Sequence, residues 1–408
     1  MSCDSNIIPV LNNASTWSTV AQAPLTCPFD ASLFSFASAL SSKLLKDVRV
    51  RRYPELVALA FWMRPANLTR IIEQVRLNSR DDLLVPRGTV FHIAPANVDT
   101  IFVYSWILSM LCGNRNIVRL SNSAPPQLNL LLQTIDACLG EAAHQKIASS
   151  IAIVRYEHSE EINELLSAEC DTRVIWGGDD TIRAIRRAVL RPTANEATFA
   201  NKLSLCLVDS EFWASAETSV RKRIAQRFAT DAYSFGQAAC SSPRVVVWHG
   251  KPLDNAAADE FWSHVLDAST DFSDELRDVD FVNKLVAANR AAVAVPVKVI
   301  PSQDNRLTRI TFLHDRLHEI LHADIHCGGG CFYETTIPSL VELLPSMSRS
   351  IQTVTYAGLT VETLRAFFAD HVCHGIDRIV PIGQALEFSP VWDGFDLFEV
   401  FLRHVTVK

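Results

Sequence analysis

Cys240 lies in FATDAYSFGQAACSSPRVVVW, residues 228–248, between a charged segment with apolar residues at helical spacing (217–228) and a β-branched run (244–248). A helix-to-strand connection is predicted there, and scaffolds present reactive groups on such connections. Gly236 frees the backbone ahead of the thiol, Ser241 and Ser242 put hydroxyls beside it, and Pro243 stops the helix. Held on a turn and ionised, this thiol would be a nucleophile; the alternative is a buried, inert cysteine. A second concentration of chemistry is HDRLHEILHADIHCGGGC, in which His314, His318, His322 and His326 are four apart and Cys327 and Cys331 follow. On a helix those histidines would share one face, a spacing that can hold zinc, but the ligand pattern fits no standard zinc module, and no metal is assigned.

The remaining composition bounds the chemistry. A net charge of −7 argues against a nucleic-acid partner bound by bulk electrostatics and leaves room for a local cationic pocket. Ten scattered cysteines and an N-terminus, MSCDSNIIPV, without a basic start and apolar core point to reduced thiols in a cytoplasm. The most apolar stretch, Ile101 to Cys112, is shorter than the roughly 20 residues a bilayer span needs, so it reads as a buried helix.

The elements that must position these residues follow from periodicity. Helices are predicted over 33–46 and 67–77, the second capped by Asn67. From Gly88 onward apolar strands (88–94, 116–120, 151–155, 173–176) alternate with helices (101–112, 127–139, 159–168, 181–190), the pattern of a parallel, doubly wound sheet. Ligands on such sheets sit beyond the carboxyl ends of the strands, where PANVD, RLSNS and GGDD would share one edge. Residues 193–201 read as a connection to a second α/β unit with strands at 203–208, 244–248 and 292–300. The expected organisation is a helical segment plus nucleotide-binding domain over 1–200, a catalytic domain over 201–374, and an aromatic-rich tail, 375–408, docking back on the body.

In this order and spacing, VFHIAPANVD, GNRNIVRL, VIWGGDDTIRAIRR, FGQAACSSPR, QTVTYAG and GIDRIVPIG with VWDG resemble the aldehyde dehydrogenase superfamily, and within it the acyl-CoA reductases typified by the LuxC fatty-acid reductase. The resemblance implies an aldehyde dehydrogenase-like α/β fold with cofactor-binding and catalytic domains. It also implies that Cys240 accepts the acyl group of an acyl-CoA, and that Asn97 helps the Cys240 N–H stabilise the oxyanion; on its own Asn97 reads as a helix cap. Two residues separate Gln237 from Cys240 where many members have one. Oxidising members carry a water-activating glutamate in the segment matching FANKLSLCL, 199–207, which has no carboxylate; this favours reductase over acid-forming chemistry, with Glu196 and Glu211 as the nearest displaced bases.

For the cofactor, Arg119 stands where the superfamily has a lysine, and Asn122 near the place of a glutamate that grips the adenosine ribose. A guanidinium that can fork onto a 2′-phosphate implies NADPH (NADP+) over NADH. Pro95, Ser121, Gly177 and Gly178 complete the expected cofactor edge, with the two glycines opening a helix beside the pyrophosphate and Asp179 and Asp180 as its caps. The Gly-rich dinucleotide fingerprint is absent. A homo-oligomer is expected from the resemblance. An acyl phosphate, or an acyl group delivered by a partner protein, is an alternative donor for the same chemistry, and a metal-binding regulatory protein using residues 314–331 is the alternative class.

Overall fold

Strand residues alternate between two apolar clusters, so each of the two large sheets is packed on both faces. The computed structural model describes residues 6–79, 82–95, 101–300, 302 and 304–408. They form two units, Met1–Ala200 with Phe388–Lys408, and Asn201–Glu387. The stretch from Gly375 is thus divided between them.

In the first unit, β1 (Thr89–Ile93), β2 (Arg115–Arg119), β3 (Ile151–Arg155), β4 (Thr172–Trp176) and β5 (Asn195–Phe199) form a parallel sheet in the order β3-β2-β1-β4-β5. Residues Ile8–Pro9 add an antiparallel edge beside β3. Val90, Val118, Ile153 and Val174 point into one cluster, Phe91, Ile117, Ala152 and Ile175 into the other. The helix α1 (Ile101–Leu111) is buried along its whole length, which is why its sequence shows no polar face. Strand order reverses between β1 and β4, the kind of point at which parallel sheets bind ligands at their carboxyl ends. Residues 193–201 are therefore not a plain connection: they contain β5, whose Asn195 and Glu196 are held by Thr172 and Arg173 on the neighbouring strand. The helix that begins near Asn67 starts earlier, at Pro65, with Arg64 in the cap position; the Asn67 amide instead donates to the Trp62 carbonyl at 2.7 Å.

The second unit carries β6 (Leu203–Asp209), β7 (Pro243–His249), β8 (Val297–Ile300), β9 (Thr308–Phe312), β10 (Cys331–Ile337), β11 (Ile351–Ala357) and β12 (Arg378–Pro381). Their order is β8-β9-β10-β7-β6-β11-β12, parallel except for β8. Leu205, Leu207, Val245 and Val247 face one cluster, and Cys206, Val208, Val246 and Trp248 the other, against Phe228 of α2 (Thr218–Tyr233) and Trp262 of α3 (Asn255–Ala268). The histidine-rich stretch is not one helix. A single turn at His314–Arg316 leads into α4 (Leu317–His322), which stops before Ala323, leaving His326 in the loop beyond. Among the described residues no helix is long and apolar enough to cross a membrane.

Candidate active site

The helix α2 ends at Tyr233, and the chain then passes through three consecutive residues in the left-handed region, Phe235 (φ 58°), Gly236 (φ 59°) and Gln237 (φ 64°). Only one is glycine, so the run is strained, and it persists because its surroundings over-determine it. Gln237 is wholly buried: its amide nitrogen donates to the Pro243 carbonyl at 2.9 Å and the Cys331 carbonyl at 3.4 Å, and its amide oxygen accepts from the Gly330 N–H at 2.8 Å. Arg244 donates to the carbonyls of Gln237 (3.1 Å) and His326 (2.9 Å). Ser204 donates to the Cys240 carbonyl at 2.6 Å and accepts from the Thr353 N–H at 3.1 Å. Cys240 thus sits half-buried on a turn braced from three strands, at the amino end of β7.

Opposite this turn runs Gly328-Gly329-Gly330, all left-handed. The Gly329 N–H donates to the Gly236 carbonyl at 3.1 Å, and a Cβ on Gly330 would stand 2.0 Å from the Arg306 carbonyl oxygen, so no side chain fits there. Burial presses the Arg244 pKa down, while the neighbouring Cys240, Cys327 and Cys331 thiols act to raise it. A partly buried cation beside a thiol favours the thiolate. Sequence reading missed Gln237 as a brace, along with Arg244 and Ser204; the visible signal was three glycines in a row between two cysteines.

In the first unit, Pro95 follows β1, Arg119 ends β2, Ser121 lies just beyond it, and Gly177 and Gly178 follow β4, so all five share the carboxyl edge of adjacent strands at the point where strand order reverses. Asn97 lies outside the described residues. The Arg119 Nε and the Ser121 Oγ are buried without a hydrogen-bond partner among the described residues, and the Arg119 guanidinium lies 5.3 Å from the centre of the Tyr156 ring. Buried donors left open at a sheet edge suit a polar, anionic ligand. Asp179 and Asp180 do not cap the helix that follows: Gly178 holds the cap position, and the aspartates occupy the exposed first turn, where Asp180 pairs with Arg183 at 2.8 Å.

The displaced bases are otherwise engaged. Glu196 is gripped by Arg173 (2.5 Å) and Arg186 (2.7 Å). Glu211 pairs with Lys251 beyond the carboxyl ends of β6 and β7, the opposite edge of that sheet from Cys240. Among the histidines, His318 and His322 stack at 4.2 Å, His322 contacts the His318 carbonyl and Ser348, and half-buried His326 contacts the Ile320 carbonyl, its pKa pushed down to about 4 by desolvation. Among the described residues no group of three or more His, Cys, Asp or Glu side chains is arranged to hold a metal ion.

A family model described as acyl-CoA reductase (LuxC) matches residues 69–276. No curated protein matches the chain. Among solved structures, a 1-pyrroline-5-carboxylate dehydrogenase from Thermus thermophilus superposes with a TM-score of 0.65 at 13% identity, covering 98% of this chain and 89% of that one. An NAD-dependent benzaldehyde dehydrogenase from Corynebacterium glutamicum gives 0.63 at 13% identity, over 99% and 95%. Aldehyde dehydrogenase 21 from Physcomitrella patens, in complex with succinate, gives 0.63 at 11%, over 99% and 95%. At these identities the likeness is one of fold, that of the aldehyde dehydrogenases.

Proposed function

The chain belongs to the acyl-CoA reductase (LuxC) family, and from that premise we propose that this oxidoreductase reduces an acyl-CoA to the aldehyde, with Cys240 as acyl acceptor and NADPH as reductant. The observation that carries the reading is the half-buried Cys240 thiol on a turn braced by Gln237, Arg244 and Ser204, with a guanidinium beside it.

Arg244 favours the Cys240 thiolate, which attacks the acyl carbonyl carbon; the CoA thiolate departs, and the acyl group stays on Cys240 as a thioester. The Cys240 main-chain N–H and the Asn97 amide are assigned to the oxyanion, where one donor is typically worth roughly a hundredfold or more in turnover. NADPH, when bound, supplies the hydride that takes the acyl group to the aldehyde oxidation level. Expulsion of the aldehyde then regenerates the Cys240 thiolate. With no carboxylate in 199–207, and Glu196 and Glu211 committed to basic partners, hydrolysis of the thioester lacks an activated water.

Pro95, Arg119, Ser121, Gly177 and Gly178 are assigned to the cofactor. The open Arg119 and Ser121 donors fit its phosphates and ribose, and Arg119 selects the 2′-phosphate. Mass spectrometry of protein mixed with acyl-CoA should find the acyl adduct on Cys240, and Cys240→Ala should lose both the adduct and acyl-CoA-dependent NADPH oxidation. An adduct on Cys327 instead, or turnover surviving in Cys240→Ala, would remove the assignment.

A further inference from the structure

A surface helix ordinarily turns its apolar stripe to the core and its charges to water. The helix Asp278–Ala294 does the reverse: its inner face buries Asp280 and Lys284 with Ala287 and Ala291, and its outer face exposes Val279, Phe281, Val282, Leu285, Val286 and Val293. Among the described residues no other helix or strand exposes more than one large apolar side chain. The orientation is fixed from inside. Asp280 accepts from the Arg277 N–H at 2.9 Å and from its guanidinium at 3.0 Å, a Cβ on Gly329 would stand 2.8 Å from the Asp280 Cβ, and the Lys284 ammonium donates to the Asn305 carbonyl. Rolling the helix to bury its valines would break these contacts. A contiguous exposed apolar face of this kind marks an interaction surface.

Val279, Val282, Val286, Asn289 and Val293 recur at intervals of three and four, the a and d positions of a coiled-coil seam, over about 21 Å of helix. The one polar member, Asn289, donates its amide to the Leu285 carbonyl of its own helix at 2.9 Å. Phe281 and Leu285 widen the seam on one side, and no charge falls within it. The charges stand beside its two ends and differ in sign: exposed Asp278 at the first turn, and toward the last turn Arg290, which is 3.4 Å from exposed Asp324.

We propose that this face pairs with the same face of a second copy of the chain, the two helices lying antiparallel across a two-fold axis. In that arrangement the valines of the two seams interdigitate, each Asp278 comes to the end of the other helix that carries Arg290, and the helix dipoles oppose. A parallel pair would set Asp278 beside Asp278 and Arg290 beside Arg290. An anionic membrane or a strongly charged partner would ask for one sign of charge along the face, and this face carries one of each. Because the Gly328–Gly330 loop lies on the inner side of the helix, the pairing is independent of the chemistry assigned to Cys240.

The test uses the full chain, its mass in solution followed by light scattering and sedimentation across micromolar concentrations. Val293 is 89% exposed and Val282 61%, so Val293→Glu and Val282→Glu keep the fold, as read by circular dichroism. Each places an unpaired charge in the seam and should weaken the pairing by about a hundredfold or more, halving the mass. Asp278→Arg and Arg290→Asp should each weaken it by about tenfold at low salt, because like charges then meet at both ends, and mixing the two variants in equal amounts should restore it. In a parallel pair neither charge variant alone would weaken the association. Four results would each overturn the proposal: a wild-type mass of one chain throughout, a mass unchanged by both glutamates, charge variants that associate as wild type does, or binding to phosphatidylcholine vesicles that the glutamates abolish.

Discussion

Gln237 ties the segment before Cys240 to Gly330 and Cys331 with one side chain, and Arg244 ties it to His326. These partners lie more than eighty positions away, so glycine, serine and proline around Cys240 reveal a turn in the sequence while its bracing stays hidden. Cysteine and turn are local signals; the brace is tertiary. The place of Arg119 at a strand end was legible for the opposite reason, because the run before it is apolar and reads locally as a strand. Its replacement by glutamate would put a carboxylate where a 2′-phosphate is proposed to sit. Arg119→Glu is therefore expected to raise the NADPH Michaelis constant more than that for NADH, measured with one acyl-CoA at saturation. Equal changes for the two cofactors would remove the 2′-phosphate assignment.

At the level of elements, buried parallel strands announce themselves as β-branched runs, which is why β1 to β4 could be read within about two residues of their ends. The strand β5 could not, because NEATF hides its polar members in pairings with Arg173, Arg186 and Thr172 that no local pattern displays. Another long-range polar tie joins α2 to the loop after β12: buried Asp231 accepts from the Gly383 N–H at 2.6 Å and the Ala385 N–H at 3.0 Å. Burial outweighs these donors and pushes the Asp231 pKa up to about 7. A carboxyl that holds its proton more tightly folded than unfolded lowers stability as pH rises between the two values, here from about pH 4 to about pH 7. Buried His92 and half-buried His326, each pushed down to about 4, slope the other way over most of that window. The difference between Asp231→Asn and wild type isolates the carboxyl: the variant's melting temperature should gain on that of wild type from pH 4 to pH 7. A constant gap across that range would show that Asp231 is ionised throughout.

Across the whole molecule, the chain leaves the first unit at Ala200 and returns to it at Phe388. The returning segment is part of that unit's core: Leu397, Phe398 and Phe401 are buried in it, and Leu402–Thr406 pairs antiparallel with Asp82–Pro86. Phe401→Ala should cost about 3–5 kcal/mol, the usual loss for a fully buried phenylalanine, read as a lower denaturant midpoint. Because the residue belongs to the first unit, dinucleotide affinity should fall well before acyl loading of Cys240 does; loss of loading first would contradict that division.

The thiol stands at the amino edge of its sheet, and the opposite edge of the same sheet, with Asp209, His249 and the open turn at Gly250, has no part in the chemistry assigned here. Loops there carry none of the residues assigned to the acyl group or the cofactor. They can lengthen, shorten or take up a foreign sequence at little conformational cost, so that is the natural ground for relatives to diverge in and for an affinity handle to be grafted onto.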